Sequence, residues 1–392
     1  MSRTLSRIQS IPYGRQTIEE DDVRAVVDVL KSDRLTQGSR VGRFEAAFAE
    51  YCGARYAVAC SSGTAALHLA YLAAGLRRGE AVITSPISFL ATANAAVYVG
   101  AGPVFADVDP TSGNIQPERI AEICTSALSE NKRLKAIVPV HFAGFPCDMK
   151  EITKIADQHR LVVIEDACHA LGAEVSGRRI GSYSDLTVFS FHPVKQITTG
   201  EGGAITTNDK GFYNRLIQLR EHGVVRDGFL NKPDGPWYYE MQSLGFNYRM
   251  TDIQAALGCS QLKKSERFIQ RRREIAGLYD DAFEGNPLFD CPVERRHVYA
   301  AYHLYPIRLK DFYKTRKQAI VRYLMAAGIQ VQIHYIPIYL QPYYRGLGYR
   351  KGLCPDAEDF YAREISLPIY PGMRPEDVEY VMDTVSRIPE DI

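Results

Sequence analysis

The chain has 392 residues, of which 46% are hydrophobic and 24% are charged, and its formal net charge is +1. This length allows about two domains of ~150 residues each and a sizeable core. The balanced charge gives no reason to expect nucleic acid or an anionic membrane as a partner. No run reaches the ~18 apolar residues that a bilayer-spanning helix needs. Met1–Ser10 lacks the apolar centre of a secretory signal, so we expect a cytoplasmic protein.

The eight cysteines are scattered along the chain and form no CxxC pair. Their spacing relative to the histidines is not that of a zinc site. Scattered cysteines in a chain of this length are typical of reduced thiols in a cytosolic protein. We therefore expect buried free thiols and no metal.

The first predicted elements end in a turn that could bind phosphate. They are helix Ile18–Lys31, polar loop Ser32–Gly38, helix Val41–Tyr51, strand Tyr56–Cys60 and helix Ala65–Ala74. The small residues Ser62, Gly63 and Thr64 lie between that strand and the last helix. A strand, a small turn and a helix start bind phosphate through free backbone N–H groups and the helix dipole. The alternative is an ordinary serine or threonine helix cap.

Strands and helices then alternate, which predicts a parallel sheet covered by helices. The predicted strands are Ala81–Thr84, Pro103–Val108, Lys135–Val140 and Leu161–Ile164, and the helices between them are Phe89–Tyr98, Pro117–Leu128 and Asp148–His159. Active sites of such sheets lie beyond the carboxyl ends of the strands. Asp166 and His169 follow a very apolar strand and are expected there. The alternatives are a helix-capping aspartate and a core histidine.

The C-terminal part predicts a smaller α/β unit. Asp252–Phe283 is expected to be one long crossover helix, and its basic run Arg271–Arg273 is expected to be a solvated face. Four elements complete the unit: strand His297–Leu309, helix Tyr313–Ala327, strand Gln330–His334 and helix Pro375–Ile388.

One lysine stands out. Phe189–Gly203 reads FSFHPVKQITTGEGG, and it places Lys195 in a loop between the apolar runs Leu186–Phe191 and Ala204–Thr207. Desolvation lowers the pKa of an amine and frees its lone pair, so this is a favourable position for a Schiff-base nucleophile. The glycines allow close packing of the backbone. The alternative is a solvated lysine before a glycine-rich turn.

A loop lysine, a strand-end aspartate and a phosphate-binding helix start are together the parts that hold pyridoxal 5'-phosphate (PLP). Lys195 would form the Schiff base, and Asp166 would keep the pyridine nitrogen protonated so that the ring acts as an electron sink. The other expected contacts are Gly63, Thr64 and Ser190 with the phosphate, Phe89 with a ring face and His169 with the ring edge.

Four stretches, SSGTAALHL, IEDACHALGA, FSFHPVKQITTGEGGA and LGFNYRMTDIQAALG, make the chain recognisable. It resembles the DegT/DnrJ/StrS family of sugar aminotransferases over essentially its whole length. The resemblance implies an α/β protein of PLP-dependent fold type I, similar to aspartate aminotransferase. It implies a large PLP-binding domain over 11–255 with a mostly parallel seven-stranded sheet, a small C-terminal α/β domain over 256–392, and a homodimer with shared sites.

The same resemblance assigns roles to single residues. It implies Lys195 and Asp166 as the catalytic pair and Ser62, Gly63, Thr64 and Ser190 as phosphate contacts. Asn247 would reach the cofactor of the neighbouring subunit. His169 departs from the family pattern, because many members carry glutamine there, and this leaves the contact to the ring edge open.

The stretches IPYGRQTI, LTQG, HFAGFPCDM and VQIHYIPIYLQPYY most resemble the family members of pseudaminic acid biosynthesis. They imply amino transfer from L-glutamate to carbon 4 of a UDP-linked 4-keto-6-deoxy-N-acetylhexosamine. The residues expected around the sugar are Tyr13, Arg15, Thr36, Gln37, His334 and Tyr335. A free amino acid would instead need an arginine fork, and Arg363, the candidate for one, is expected at the surface.

Three alternatives stay open. The chain could aminate another UDP- or GDP-linked sugar. It could be a PLP-dependent sugar dehydratase, although relatives with that activity resemble this chain with histidine in place of the lysine. It could also be a non-catalytic sensor or scaffold, which should lack Lys195 or Asp166.

Overall fold

A seven-stranded sheet is the centre of the fold in the computed structural model, which describes residues 10–129 and 132–392. The prediction that the N-terminus is not a signal falls on residues 1–9, which lie outside the described part. The strands of the sheet are β1 (Tyr56–Cys60), β2 (Ala81–Thr84), β3 (Gly102–Phe105), β4 (Leu134–Val138), β5 (Val162–Asp166), β8 (Leu186–Ser190) and β9 (Gly203–Thr207). Their order is β1-β9-β8-β5-β4-β2-β3. Only the two pairings of β9, with β1 and with β8, are antiparallel.

The other strands are short. They are β6 (Glu174–Val175), β7 (Arg178–Arg179), β10 (Val224–Val225), β11 (Glu240–Met241), β12 (Phe289–Asp290), β13 (Val298–Tyr299), β14 (Tyr305–Leu309) and β15 (Glu364–Leu367). A second sheet of order β12-β14-β15 lies in the C-terminal part.

Helices follow most strands of the large sheet. The described helices are α1 (Glu20–Leu30), α2 (Ser39–Cys52), α3 (Gly63–Ala73), α4 (Ala91–Tyr98), α5 (Pro117–Ser129), α6 (Met149–His159), α7 (Lys210–Arg220), α8 (Asp252–Leu262), α9 (Ser265–Ala282), α10 (Lys317–Ala326), α11 (Pro342–Gly346), α12 (Pro355–Arg363) and α13 (Pro375–Ser386). Helix α3 packs against β8 and β9. It is buried along almost its whole length, because alanine and leucine occupy nearly all of its faces.

The predicted fold class is confirmed, and most predicted elements of the large sheet occur within a few residues of their expected bounds. Three C-terminal predictions are wrong. The long helix is interrupted at Lys263–Lys264, which separates α8 from α9. His297–Leu309 holds two strands, β13 and β14. Gln330–His334 is not a strand: Gln332 forms an isolated bridge with Ser366, and the N–H of Gln330 donates to the Ile11 carbonyl at 2.8 Å.

The basic run Arg271–Arg273 is also not a solvated face. Arg272 is fully buried, while Arg273 is ion-paired with Glu294. Helix α9 presents this stretch to the C-terminal core, in which Ile275, Tyr279 and Phe283 are buried. The sequence shows three consecutive arginines, but the packing of the helix decides which of them is buried.

No helix in the described ranges is long and apolar enough to cross a bilayer.

Candidate active site

A cavity of about 590 Å³ lies at the carboxyl ends of the sheet strands. Residues that end or follow β1, β2, β5 and β8 line it, which is where an α/β sheet places its ligands. The expected cofactor residues that line it are Ser62, Gly63, Thr64, Phe89, Asp166, His169, Ser190 and Lys195. The fold thus brings together segments that are more than a hundred residues apart in the sequence.

Asp166 is the last residue of β5, and its carboxylate is buried. Thr92 Oγ1 donates a hydrogen bond to Asp166 Oδ2 at 2.6 Å, and the backbone N–H of Cys168 donates to Oδ1 at 3.2 Å. Ser88 Oγ lies 2.7 Å from Thr92 Oγ1. Because Thr92 uses its own proton toward Asp166, Ser88 is the donor to Thr92. This Ser88–Thr92–Asp166 chain fixes the orientation of a buried negative charge.

The start of α3 forms an anion cradle. Ser62 caps the helix by accepting from the N–H of Ala65 at 3.1 Å, so Gly63 and Thr64 keep the first two helical N–H groups for another acceptor. A Cβ on Gly63 would lie 2.8 Å from Ser190 Cβ, so only glycine fits beside that hydroxyl. A Cβ on Gly203 would lie 2.5 Å from the Ser62 carbonyl oxygen. This close approach of β9 is the physical reason for the glycine-rich turn.

Lys195 follows β8 and lines the same cavity. Its backbone N–H donates to the His192 carbonyl at 2.9 Å, which fixes the tight loop. Within the described residues its Nζ has no hydrogen-bond or ion-pair partner. Burial lowers the pKa of Lys195, nearby Cys168 and Asp166 oppose this, and the positive charge of Arg272 adds to it. The amine is therefore shifted toward its neutral, nucleophilic form.

Three rings form the wall of the cavity opposite the helix start. The His169 and His303 ring centroids are 4.2 Å apart, and His169 Nε2 lies 3.3 Å from the Tyr335 hydroxyl. Burial and the charge of Lys195 hold the pKa of His169 well below its ordinary range, so the imidazole is neutral. Phe89 also lines the cavity and is 60% exposed, and its predicted contact with a planar ring stays a prediction.

The residues expected around the sugar fall into two groups. Tyr13, His334 and Tyr335 line the cavity, and the Tyr13 and His334 ring centroids are 5.6 Å apart. Arg15 and Thr36 are exposed and do not line it. Gln37 lines a separate cavity of about 310 Å³ together with Arg249.

Asn247, expected to serve a neighbouring subunit, also lies outside the main cavity and is exposed. Its position leaves it free to contact another chain. Its role, like those of Arg15, Thr36 and Gln37, stays a prediction.

Sequence reasoning missed several cavity residues. Thr92 lies on the predicted helix Phe89–Tyr98, and Ser88 directly precedes it. The sequence indicates only that two hydroxyl side chains lie one helical turn apart. His303 lies in a stretch that the sequence predicts to be a strand, and His192 and Glu201 lie on either side of Lys195 without a predicted role. Only the tertiary structure shows that these side chains line the same cavity.

The described residues fit PLP. A buried carboxylate held by two donors suits a protonated ring nitrogen, free helix N–H groups beside Ser190 suit a phosphate, and an unpartnered lysine amine suits the aldehyde. The fold and this site define a PLP-dependent aminotransferase of fold type I. Residues 16–386 match the DegT/DnrJ/EryC1/StrS aminotransferase family, and the chain belongs to that family. It is therefore a sugar aminotransferase.

Named relatives match over nearly the whole chain. The spore coat polysaccharide biosynthesis protein SpsC of Bacillus subtilis is 40% identical, over 96% of this chain and 97% of that protein. The UDP-4-amino-4,6-dideoxy-N-acetyl-beta-L-altrosamine transaminase of Campylobacter jejuni is 38% identical, over 97% and 98%. The structure of Helicobacter pylori PseC, an aminotransferase involved in the biosynthesis of pseudoaminic acid, is similar with a TM-score of 0.89, at 36% identity over 96% of this chain and 98% of that one.

Proposed function

We propose that this enzyme transfers the amino group of L-glutamate to carbon 4 of a UDP-linked 4-keto-6-deoxy-N-acetylhexosamine, as a step of pseudaminic acid biosynthesis. The names of the Campylobacter and Helicobacter relatives support this substrate, as do the N-terminal and C-terminal segments that resemble them. The protein would act in the cytoplasm, where its eight free cysteines would stay reduced.

The observation that carries the proposal is that no arginine lies among the described residues of the cavity wall. An enzyme for free amino acids and 2-oxo acids holds the substrate carboxylate with a fixed arginine fork. Arg363 is not available for this role, because it is ion-paired with Asp311 and Asp359 at the end of α12. A neutral sugar ring needs no such fork, and a cavity of about 590 Å³ is large enough for one.

In the proposed mechanism, PLP supplies an electron sink for the carbon that loses a proton. Asp166 would hold the pyridine nitrogen protonated, with Thr92 orienting the carboxylate through its hydrogen bond. Gly63, Thr64 and Ser190 would bind the phosphate. Lys195 would attach the cofactor and, once released, its Nζ would take a proton from one carbon and return it to another as a positioned acid and base.

We also propose that the protein is a homodimer with shared sites. The segment before Asn247 is rich in exposed apolar side chains, which is typical of an interface. They are Leu230, Trp237, Tyr239, Met241 and Leu244. Within each subunit we propose a large domain over 11–255 and a small one over 256–392.

The test uses the purified protein with PLP, L-glutamate and a panel of 4-keto-6-deoxy sugar nucleotides that carry UDP or GDP. A coupled assay measures 2-oxoglutarate, and proton NMR identifies the sugar product. We expect 2-oxoglutarate together with an amine at carbon 4 of the UDP-linked N-acetyl sugar.

Each rival gives a different result in this test. Amination of only a GDP-linked sugar would indicate another nucleotide-sugar 4-aminotransferase. Loss of a hydroxyl group without 2-oxoglutarate would indicate a dehydratase, and the absence of a visible cofactor band would indicate a scaffold. Amination of simple 2-oxo acids alone would overturn the proposal.

A further inference from the structure

Arg272 is a cation in the interior of the protein, directly behind the lysine loop. It lies on α9, and none of its surface is exposed. Its Nη1 donates to the carbonyls of Tyr302, His303 and Ile369 at 3.3, 3.2 and 2.8 Å, and its Nη2 donates to the carbonyl of Val194 at 3.5 Å. Every partner is a backbone carbonyl.

This charge has no counter-charge. No carboxylate lies within ion-pair distance of Arg272 in the described part of the chain, and its Nε has no hydrogen-bond partner. Burial lowers the pKa of Arg272 only to about 10, so the guanidinium remains charged at neutral pH. Burying an unpaired ion costs several kcal/mol, and proteins normally pair such groups. Stability alone is therefore a poor reason for this residue.

The neighbouring Arg271 shows the ordinary arrangement. It is one position earlier on the same helix, is partly exposed and forms an ion pair with Glu274 at 3.2 Å. Arg272 instead points inward and contacts the residue directly before Lys195. It also contacts the backbone of His303, whose ring packs against His169 in the cavity wall.

We propose that Arg272 is a positioning residue for Lys195: its buried, unneutralised charge disfavours a cation on the lysine nitrogen, and its fork joins the lysine loop to the cavity wall. This inference rests on the proposed role of Lys195. It goes beyond the cofactor contacts, because Arg272 itself does not line the cavity.

Titratable groups from several elements face Lys195. The titratable or charged residues around it are Tyr13, Asp166, Cys168, His169, His192, Glu201, His303, His334, Tyr335 and Arg272. Burial holds the pKa of His303 and His169 well below the ordinary value and that of His334 at about 3, so these imidazoles are neutral. Asp166 stabilises a cation on Lys195, while Arg272 opposes it and lowers the pKa of Lys195. Removing that opposing charge should therefore raise the pKa of Lys195.

The experiment compares R272Q, which removes the charge, with R272K, which keeps it, and with R271Q as a matched control. In each holoenzyme the visible cofactor band is titrated with pH, because its position reports protonation of the nitrogen that Lys195 contributes. We expect the R272Q midpoint to lie at a higher pH than that of the wild type. We expect the R271Q midpoint to stay unchanged and the R272K midpoint to stay near that of the wild type. A midpoint that does not move in R272Q, or that moves equally in R272K, would overturn the proposal in favour of a purely structural clamp.

A second measurement decides the case where R272Q does not fold. The full-length wild-type chain, freed of cofactor, is labelled with acetic anhydride over a range of pH, and mass spectrometry quantifies the Lys195 peptide. Because burial alone lowers the pKa of Lys195, the wild-type midpoint is compared with that of R272M, which removes the charge but keeps an apolar side chain of similar length. A higher midpoint in R272M supports the proposal, and an equal midpoint overturns it. Borohydride reduction that marks a lysine other than Lys195 would remove the catalytic assignment but leave this titration result standing.

Discussion

Replacing Thr92 by valine removes one hydroxyl from the active site while keeping the shape of the side chain. Thr92 Oγ1 donates to Asp166 Oδ2 at 2.6 Å, and both side chains are buried. The variant leaves the Asp166 carboxylate with the weaker donor at 3.2 Å, the N–H of Cys168. It also leaves the hydroxyl of Ser88 without its acceptor at 2.7 Å.

The size of the effect follows from the type of hydrogen bond. A bond to a charged group contributes about 1.5–3 kcal/mol, and its loss inside the protein is not compensated by water. Since ~1.4 kcal/mol corresponds to a factor of ten in rate, we expect kcat/KM to fall about 10- to 100-fold. The reason is that a less firmly held carboxylate stabilises a protonated pyridine nitrogen less well.

The assay is the coupled measurement of 2-oxoglutarate, with thermal unfolding and the visible cofactor band recorded in parallel. Thr92→Ser keeps the hydroxyl and serves as the matched control, so it should retain most of the activity. Ser88→Ala acts one bond further away and should have a smaller effect than Thr92→Val. The reasoning is refuted if Thr92→Val keeps full activity, or if Thr92→Ser is equally impaired.

Four further outcomes are expected. Lys195→Ala should bind PLP without turnover, and borohydride reduction of the wild type followed by peptide mapping should label Lys195 and no other lysine. Asp166→Asn should retain the cofactor band yet lose orders of magnitude in kcat, because the electron sink is weakened. Near wild-type activity of this variant would make Asp166 a structural residue only. Sedimentation should find a dimer, and an active monomer would contradict shared sites. Asn247→Ala should raise the Kd for PLP, and an unchanged Kd would contradict the role of Asn247. Gly63→Ala should weaken PLP binding in an absorbance titration, since the added Cβ would lie 2.8 Å from Ser190 Cβ, and wild-type affinity would count against the cradle.

Where local sequence and structure are strongly coupled, the sequence was a sufficient guide. The strands of the large sheet are short apolar runs bounded by turns, so Asp166 at the end of β5 and Lys195 after β8 could be located without a model of the whole fold. The Ser62–Thr64 turn was predictable for the same reason, because a serine cap and a following glycine are local signals. The C-terminal part was less predictable. The hydrophobic pattern stays helical on both sides of Lys263–Lys264, so it does not indicate the break between α8 and α9. Gln330–His334 has a strand-like composition, but in the structure it forms an isolated bridge through Gln332 instead of a strand.

The sequence by itself predicted the fold class, from the alternation of short apolar strands with helices and from its family resemblance. It also located the candidate residues Asp166, Lys195 and Ser62–Thr64, because each lies at or shortly after the end of a recognisable strand. Only the tertiary structure decided that Thr92 holds Asp166 and that the His303 ring packs against His169, since these pairs are 74 and 134 residues apart in the chain. It likewise decided that Arg272 is buried while Arg271 is not. Burial is a property of how α9 packs against the C-terminal core and the lysine loop, and no local pattern in three consecutive arginines contains that information.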